Sequence, residues 1–199
     1  MGLLDGSGNF MRDSIPLESP VRIEYDDVLD HVFLITESNL ATFDYDPENY
    51  ILNLVPDTDI SVGNSCVDFT TSPDGTRLAY SCPAGNRSNQ DFSIVDMFPD
   101  DYFDSDGEWF LGSAPVSATF NNAGTMLIAT DNEKLYFYDV VTHLILEDYE
   151  LGLLPGETIK KIRISLDGEY LMIFLNNELH DENIKFYWMP MPGITGTAL

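Results

Sequence analysis

Residues 66–82 read CVDFTTSPDGTRLAYSC and contain both cysteines of the 199-residue chain. Pro73, Asp74 and Gly75 lie at the centre, and Cys66 and Cys82 are each eight residues from Asp74. Proline presets φ for the first corner of a type I turn, aspartate suits the second, and glycine supplies the left-handed residue that closes a three-residue hairpin loop. Counting outward from a Ser72–Thr76 closing pair puts Thr70 opposite Leu78, Phe69 opposite Ala79 and Cys66 opposite Cys82. Facing Cα atoms in an antiparallel pair lie about 4.5–5.5 Å apart, within reach of a disulfide. A four-residue loop would shift the register by one and break that match, leaving two reduced, buried thiols. A disulfide would imply an oxidising compartment.

The hairpin has relatives along the chain. ATFNNAGTMLIAT spans 118–130, IRISLDGEYLMIF spans 162–174, and a weaker form, IEYDDVLDHVFLIT, spans 23–36 with Asp30 at the glycine position. The anchors Asp30, Gly75, Gly124 and Gly168 are 45, 49 and 44 residues apart. A third strand follows each hairpin: LATFD to Asp44, FSIVD to Asp96, LYFYD to Asp139 and IKFYW to Trp188. A fourth is expected at 50–55 (YILNLV), 108–112 (EWFLG) and 143–148 (HLILED). β-branched and aromatic residues dominate these runs and no helical period of useful length interrupts them, so the chain reads as all-β. About four short strands per period of 40–50 residues is the signature of a propeller blade. The expectation is one domain over 1–199, a β-propeller with blades near 21–62, 63–115, 116–160 and 161–190.

SPDGTRLAYS and ISLDGEYLMIF resemble the repeats of WD-like propellers, including the Tol-associated and YVTN-type bacterial proteins. PVSATFNNAGTMLIATDNEKLYFYDVVTHLILED is similar to a whole WD-type repeat, with Tyr138-Asp139 where that family has tryptophan-aspartate. The resemblance covers about residues 21–190, though no unit carries the full signature and the four units are fewer than these families usually have. It implies a fold and leaves activity open, because propellers host binding proteins and several kinds of enzyme.

The chain holds 34 acidic and 9 basic residues, a formal charge of −25. Such a surface repels nucleic-acid phosphates and anionic lipid, and favours cations and basic protein partners. A salt-adapted source accounts for it without any specific acidic site. No run reaches the length of a membrane span, so no membrane insertion is expected. MGLLDGSGNFMRD lacks the basic and apolar regions of a secretory signal, and Gly6 stands where myristoylation needs serine or threonine. The disulfide argues for a periplasmic or extracellular location, the missing signal for a cytoplasmic one.

Chemistry-bearing clusters are few. His31, His143 and His180 fall in different places, against a nitrogen-ligand metal site, and no nucleophile elbow or P-loop is present. The best acidic cluster is PDDYFDSDGEW, where Asp100, Asp101, Asp104, Asp106 and Glu108 could surround a calcium ion. It does not fit an EF-hand, and the plain reading is a solvated hairpin tip. Residues 83–91 form a long polar loop with an Asn86-Arg87-Ser88 sequon, and Trp109 and Trp188 read as packing residues. No catalytic residue stands out.

Three functions are compatible with these observations. One is a non-catalytic propeller that binds a protein or ligand. Another is a lactonase-type hydrolase with a divalent ion in its central channel, for which Asp68, Asn121 and Asn122 are available. The third is part of a larger propeller. Closure is expected from residues 9–15 (NFMRDSI), pairing beside Ile184–Trp188 to complete the last blade.

Overall fold

The computed structural model describes residues 20–26, 31–46, 48, 51–55, 60–63, 65–82, 92–97, 102–109, 115–177 and 184–191. Among these there is no helix, and therefore none long and apolar enough to cross a membrane. The strands form four antiparallel sheets, each built from consecutive segments.

Sheet 1 comprises β1 (Pro20–Asp26), β2 (His31–Thr36), β3 (Asn39–Asp46), β4 (Ile51–Leu54) and the short β5 (Ile60–Ser61), which pairs with β3. Sheet 2 comprises β6 (Asp68–Thr71), β7 (Arg77–Ser81), β8 (Phe92–Met97) and β9 (Tyr102–Trp109). Sheet 3 is β10 (Ser117–Phe120), β11 (Met126–Thr130), β12 (Lys134–Asp139) and β13 (Ile145–Glu150). Sheet 4 has three strands, β14 (Glu157–Ile164), β15 (Tyr170–Asn177) and β16 (Ile184–Pro190). Sheet 4 thus begins before residue 161, and sheet 2's last strand covers 102–109, not 108–112.

Apolar side chains on both faces of the middle strands seal successive sheets together. Phe33, Ile35 and Leu40 of sheet 1 meet Phe69, Leu78 and Tyr80 of sheet 2. Ala79 and Ile94 meet Ala118, Leu127 and Ala129. Met126, Ile128 and Phe137 meet Ile162, Leu171 and Ile173. Strands covered on both sides read as near-continuous apolar runs, as HVFLIT of β2 does, with Phe33 and Ile35 packed on one face and Val32 and Leu34 on the other. The first strands of neighbouring sheets touch in the order β1, β6, β10, β14.

The hairpin tips follow turn chemistry. Gly75, Gly124 and Gly168 have φ of 69°, 68° and 75°, in the left-handed region that glycine enters without strain. Asp74 accepts from the Thr76 N–H at 3.1 Å and the Ser72 hydroxyl at 2.6 Å. Each tip also rests on the next one. Asn122 donates to the Leu166 carbonyl at 2.8 Å, and a Cβ on Gly168 would lie 3.1 Å from the Asn122 amide nitrogen.

The register differs by one from the count given by a three-residue loop. Phe69 faces Tyr80, Thr70 faces Ala79 and Thr71 faces Leu78, because the Ser72 N–H donates to the Arg77 carbonyl at 2.8 Å and closes a four-residue loop. A bulge then restores the offset. Asp68 is paired with Ser81, and the preceding Val67 N–H also reaches the Ser81 carbonyl at 2.9 Å, so two residues oppose one. Cys66 is thereby returned to Cys82, and the two are joined with Cα atoms 3.8 Å apart. The Cys66 N–H donates to the Glu37 carbonyl of sheet 1 at 3.0 Å, so the crosslink sits where sheets 1 and 2 meet.

The same bulge recurs in every sheet. Val116 N–H reaches Thr130, already paired with Ser117; Val21 is skipped between Pro20 and Arg22; Lys160 is skipped between Ile159 and Lys161. Arg22, Asp68, Ser117 and Lys161 are therefore equivalent positions. The last three lie seven residues before their glycines, so the first unit was set one residue out by anchoring it on Asp30, which lies outside the described residues, as do residues 9–15.

Gly124→Val and Gly168→Val should each lower stability by about 1–3 kcal/mol, the usual cost of a strained backbone conformation, read as a shift in the denaturant midpoint. The disulfide, with both cysteines buried, should resist reductant until the protein unfolds. Intact mass should show it oxidised, and Cys82→Ala should cost about 3 kcal/mol on chain-entropy grounds.

Candidate functional site

The bulge positions converge. Asp68 is the hub, its side chain 5% exposed. Arg22 Nη1 from sheet 1 and Lys161 Nζ from sheet 4, the latter at 3.2 Å, both donate to Asp68 Oδ1. From sheet 3 the Ser117 hydroxyl donates to Oδ2 at 2.6 Å, and the Ala118 N–H reaches the same oxygen at 3.3 Å. The Ser117 oxygen accepts in turn from the Ile162 N–H at 3.3 Å. One carboxylate thus binds side chains from all three other sheets.

Arg22 extends this network. Its Nη2 donates to Glu24 at 3.0 Å, and its guanidinium carbon lies 5.4 Å from the centre of the Phe69 ring. Burial lowers the Arg22 pKa and raises that of Glu24, and the attraction between the two opposes both shifts. A buried carboxylate with two cations is stable only because each lone pair has a donor.

Alternate residues of a strand share a face, which gives a second level two residues further along: Glu24, Thr70, Thr119 and Arg163. Arg163 Nη1 donates to the carbonyls of Ile162 at 3.1 Å and Ala118 at 3.5 Å. Thr70 and Thr119 are 5% and 6% exposed.

The residues singled out from sequence are distributed differently. Asp68 is at the centre, but its oxygens are occupied by cations and hydroxyl. Asn121 and Asn122 are not beside it; both serve the hairpin tips. Asn121 Oδ1 accepts from the Thr125 and Met126 N–H groups at 2.9 and 3.0 Å. In the acidic cluster, Asp104, Asp106 and Glu108 belong to strand β9, with Asp104 opposite Asp96 and Glu108 opposite Ser93. These three therefore lie in a strand, where alternate residues are about 6.6 Å apart, and not at a hairpin tip. Asp100, Asp101, residues 83–91 with the sequon, and His180 lie outside the described residues. His31 Nε2 is 2.9 Å from Asp44, and His143 sits in the β12–β13 turn with φ 58°. Trp109 and Trp188 lie in β9 and β16. Among the described residues no three His, Cys, Asp or Glu side chains are grouped as metal ligands.

The fold has relatives among solved structures. Hydrazine synthase of Kuenenia stuttgartiensis matches over 95% of this chain and 49% of its own, at 13% identity and a TM-score of 0.66. A functionally unknown protein of Desulfotomaculum acetoxidans matches over 90% of this chain and 60% of its own, at 12% identity and a TM-score of 0.65. The chain spans about half the length of the first and under two thirds of the second. At these identities the likeness concerns fold alone. No protein-family model and no curated protein matches the chain.

Asp68→Asn should destabilise by about 3–5 kcal/mol, the cost of leaving a buried cation without its partner. Glu24→Gln should cost much less near neutral pH. The native Glu24 carboxyl binds its proton more tightly than the unfolded one. Its contribution to stability therefore falls as pH rises from the ordinary glutamate pKa, about 4.3, through the raised native value. Denaturation curves of both variants across that pH range check the contrast.

Proposed function

We propose that the chain forms about four blades of a β-propeller and acts as a non-catalytic module that binds a protein or small ligand in an oxidising, periplasmic or extracellular compartment. The observation that carries this reading is the occupation of Asp68. This acidic residue at the centre of the inner strands is held by Arg22, Lys161, Ser117 and a main-chain N–H. A carboxylate so engaged braces the sheets and has no lone pair directed at a divalent ion. Four meandering sheets joined through their first strands support the propeller reading, as do the recurring bulge and hairpin tip. The buried Cys66–Cys82 disulfide supports the compartment. The acidic surface suits a basic protein partner.

The lactonase-type alternative needs several carboxylates or amides from different blades on one ion. Asp68, Asn121 and Asn122 are engaged in separate tasks, so it is the weaker reading. A second observation favours an arc of a larger ring over a closed four-bladed one. Ile23 is 41% exposed, whereas its equivalents Phe69, Ala118 and Ile162 are 1%, 2% and 0% exposed, each against the sheet before it.

Calorimetric titration of the full chain with calcium, together with a lactone-hydrolysis assay, tests the module reading. The expected result is no hydrolysis and no calcium binding that depends on Asp68. Calcium-dependent hydrolysis abolished by Asp68→Asn would overturn it in favour of the enzyme.

A further inference from the structure

The second level of the inner strands carries a charge that no described carboxylate compensates. Arg22 and Lys161 share Asp68, and Arg22 also holds Glu24. Arg163 donates only to two main-chain carbonyls, through a single nitrogen. Among the described residues it has no carboxylate partner, in a protein with 34 acidic residues. Across the two levels, three cations face two carboxylates.

The hydroxyls beside it are also underused. Thr70 is buried to 5% exposure, yet its side chain has no hydrogen-bond partner among the described residues. Thr119 reaches only the neighbouring Phe120 carbonyl, at 3.4 Å. Strand alternation turns Thr70 to the side of Asp68, and Thr119 to the side of Ser117. A buried hydroxyl without a partner is uncommon and calls for an explanation.

We propose that this level is a binding site for the carboxylate of a small organic acid, with Arg163 as its anchor and the Thr70 and Thr119 hydroxyls donating beside it. A guanidinium presents donors in a fork that matches a carboxylate, and three of its five N–H groups sit on nitrogens that no described residue engages. One uncompensated positive charge suits one carboxylate. The −25 charge of the protein opposes larger polyanions at long range. The proposal deepens the binding-module reading and rests on it.

The test is a titration of the 15N-labelled full chain with sodium succinate, following the Arg163 Nε–Hε resonance, with sodium chloride at matched ionic strength as control. Succinate should give a saturable shift that chloride does not. Arg163→Gln should abolish binding and Arg163→Lys should retain part of it. Thr70→Val removes a hydroxyl that bonds no described residue, so it should melt like the parent while binding succinate about tenfold more weakly. A shift reproduced by chloride, no saturation, or unchanged affinity in Arg163→Gln would overturn the carboxylate site. Those results leave the module reading standing, because that reading fails on calcium-dependent hydrolysis instead.

Discussion

The Asp68 carboxylate sits where four sheets meet, and it can remain ionised there only if every neighbour supplies a donor. Sheet 1 supplies Arg22, sheet 3 supplies Ser117 and the Ala118 N–H, and sheet 4 supplies Lys161. Apolar contact between sheets is tolerant of sliding, since one branched side chain packs much like another. A charged hydrogen-bond network is not tolerant in that way. It sets the height of each inner strand against its neighbours, and the stacking of Asn122 on the Leu166 carbonyl follows at the hairpin tips.

Basic residues are scarce in this chain, and their placement is uneven. Of the 9, Arg22 lies on β1 and Lys160, Lys161 and Arg163 lie on β14, so four belong to inner strands at either end of the series. Carboxylates instead populate the outer strands, as at Glu147, Asp148 and Glu150 of β13, all exposed. This arrangement puts cations where the summed field of the acidic surface favours them. It also spreads like charges outward, where solvent and salt screen them.

What could be read from sequence follows from how local the physics is. Pro73-Asp74-Gly75 and the glycines at 124 and 168 announced their turns because backbone geometry there restricts residue choice directly. The bulge was invisible, since Val21, Val67, Val116 and Lys160 carry no residue type that marks one. The four-residue loop after Thr71 shifts the 66–82 hairpin by one residue and the bulge at Val67 shifts it back, so Cys66 still meets Cys82. The central network escaped notice because its members differ in kind: an arginine, an aspartate, a serine and a lysine make no motif. Alignment on glycine would have exposed three of them as polar interruptions seven residues upstream, and only the misplaced Asp30 anchor hid the fourth. The acidic residues at 104–108 suggest a loop by composition, while pairing with β8 draws Tyr102–Trp109 into a strand.

Within each sheet the main ladder joins each strand to the one next to it in the chain; only β5, which returns to β3, departs from that order. Chain segments that meet early are separated by short loops, so closing them loses little entropy. Rates of folding fall as contacting residues become more distant in sequence, and β-proteins are usually slow on that account. Sheets 2, 3 and 4 can each start from a local hairpin with glycine at its tip, at Gly75, Gly124 and Gly168, before one sheet docks on another around Asp68. Assembly of this kind is modular in time as well as in space, and a unit that has just emerged during synthesis need not wait for the rest.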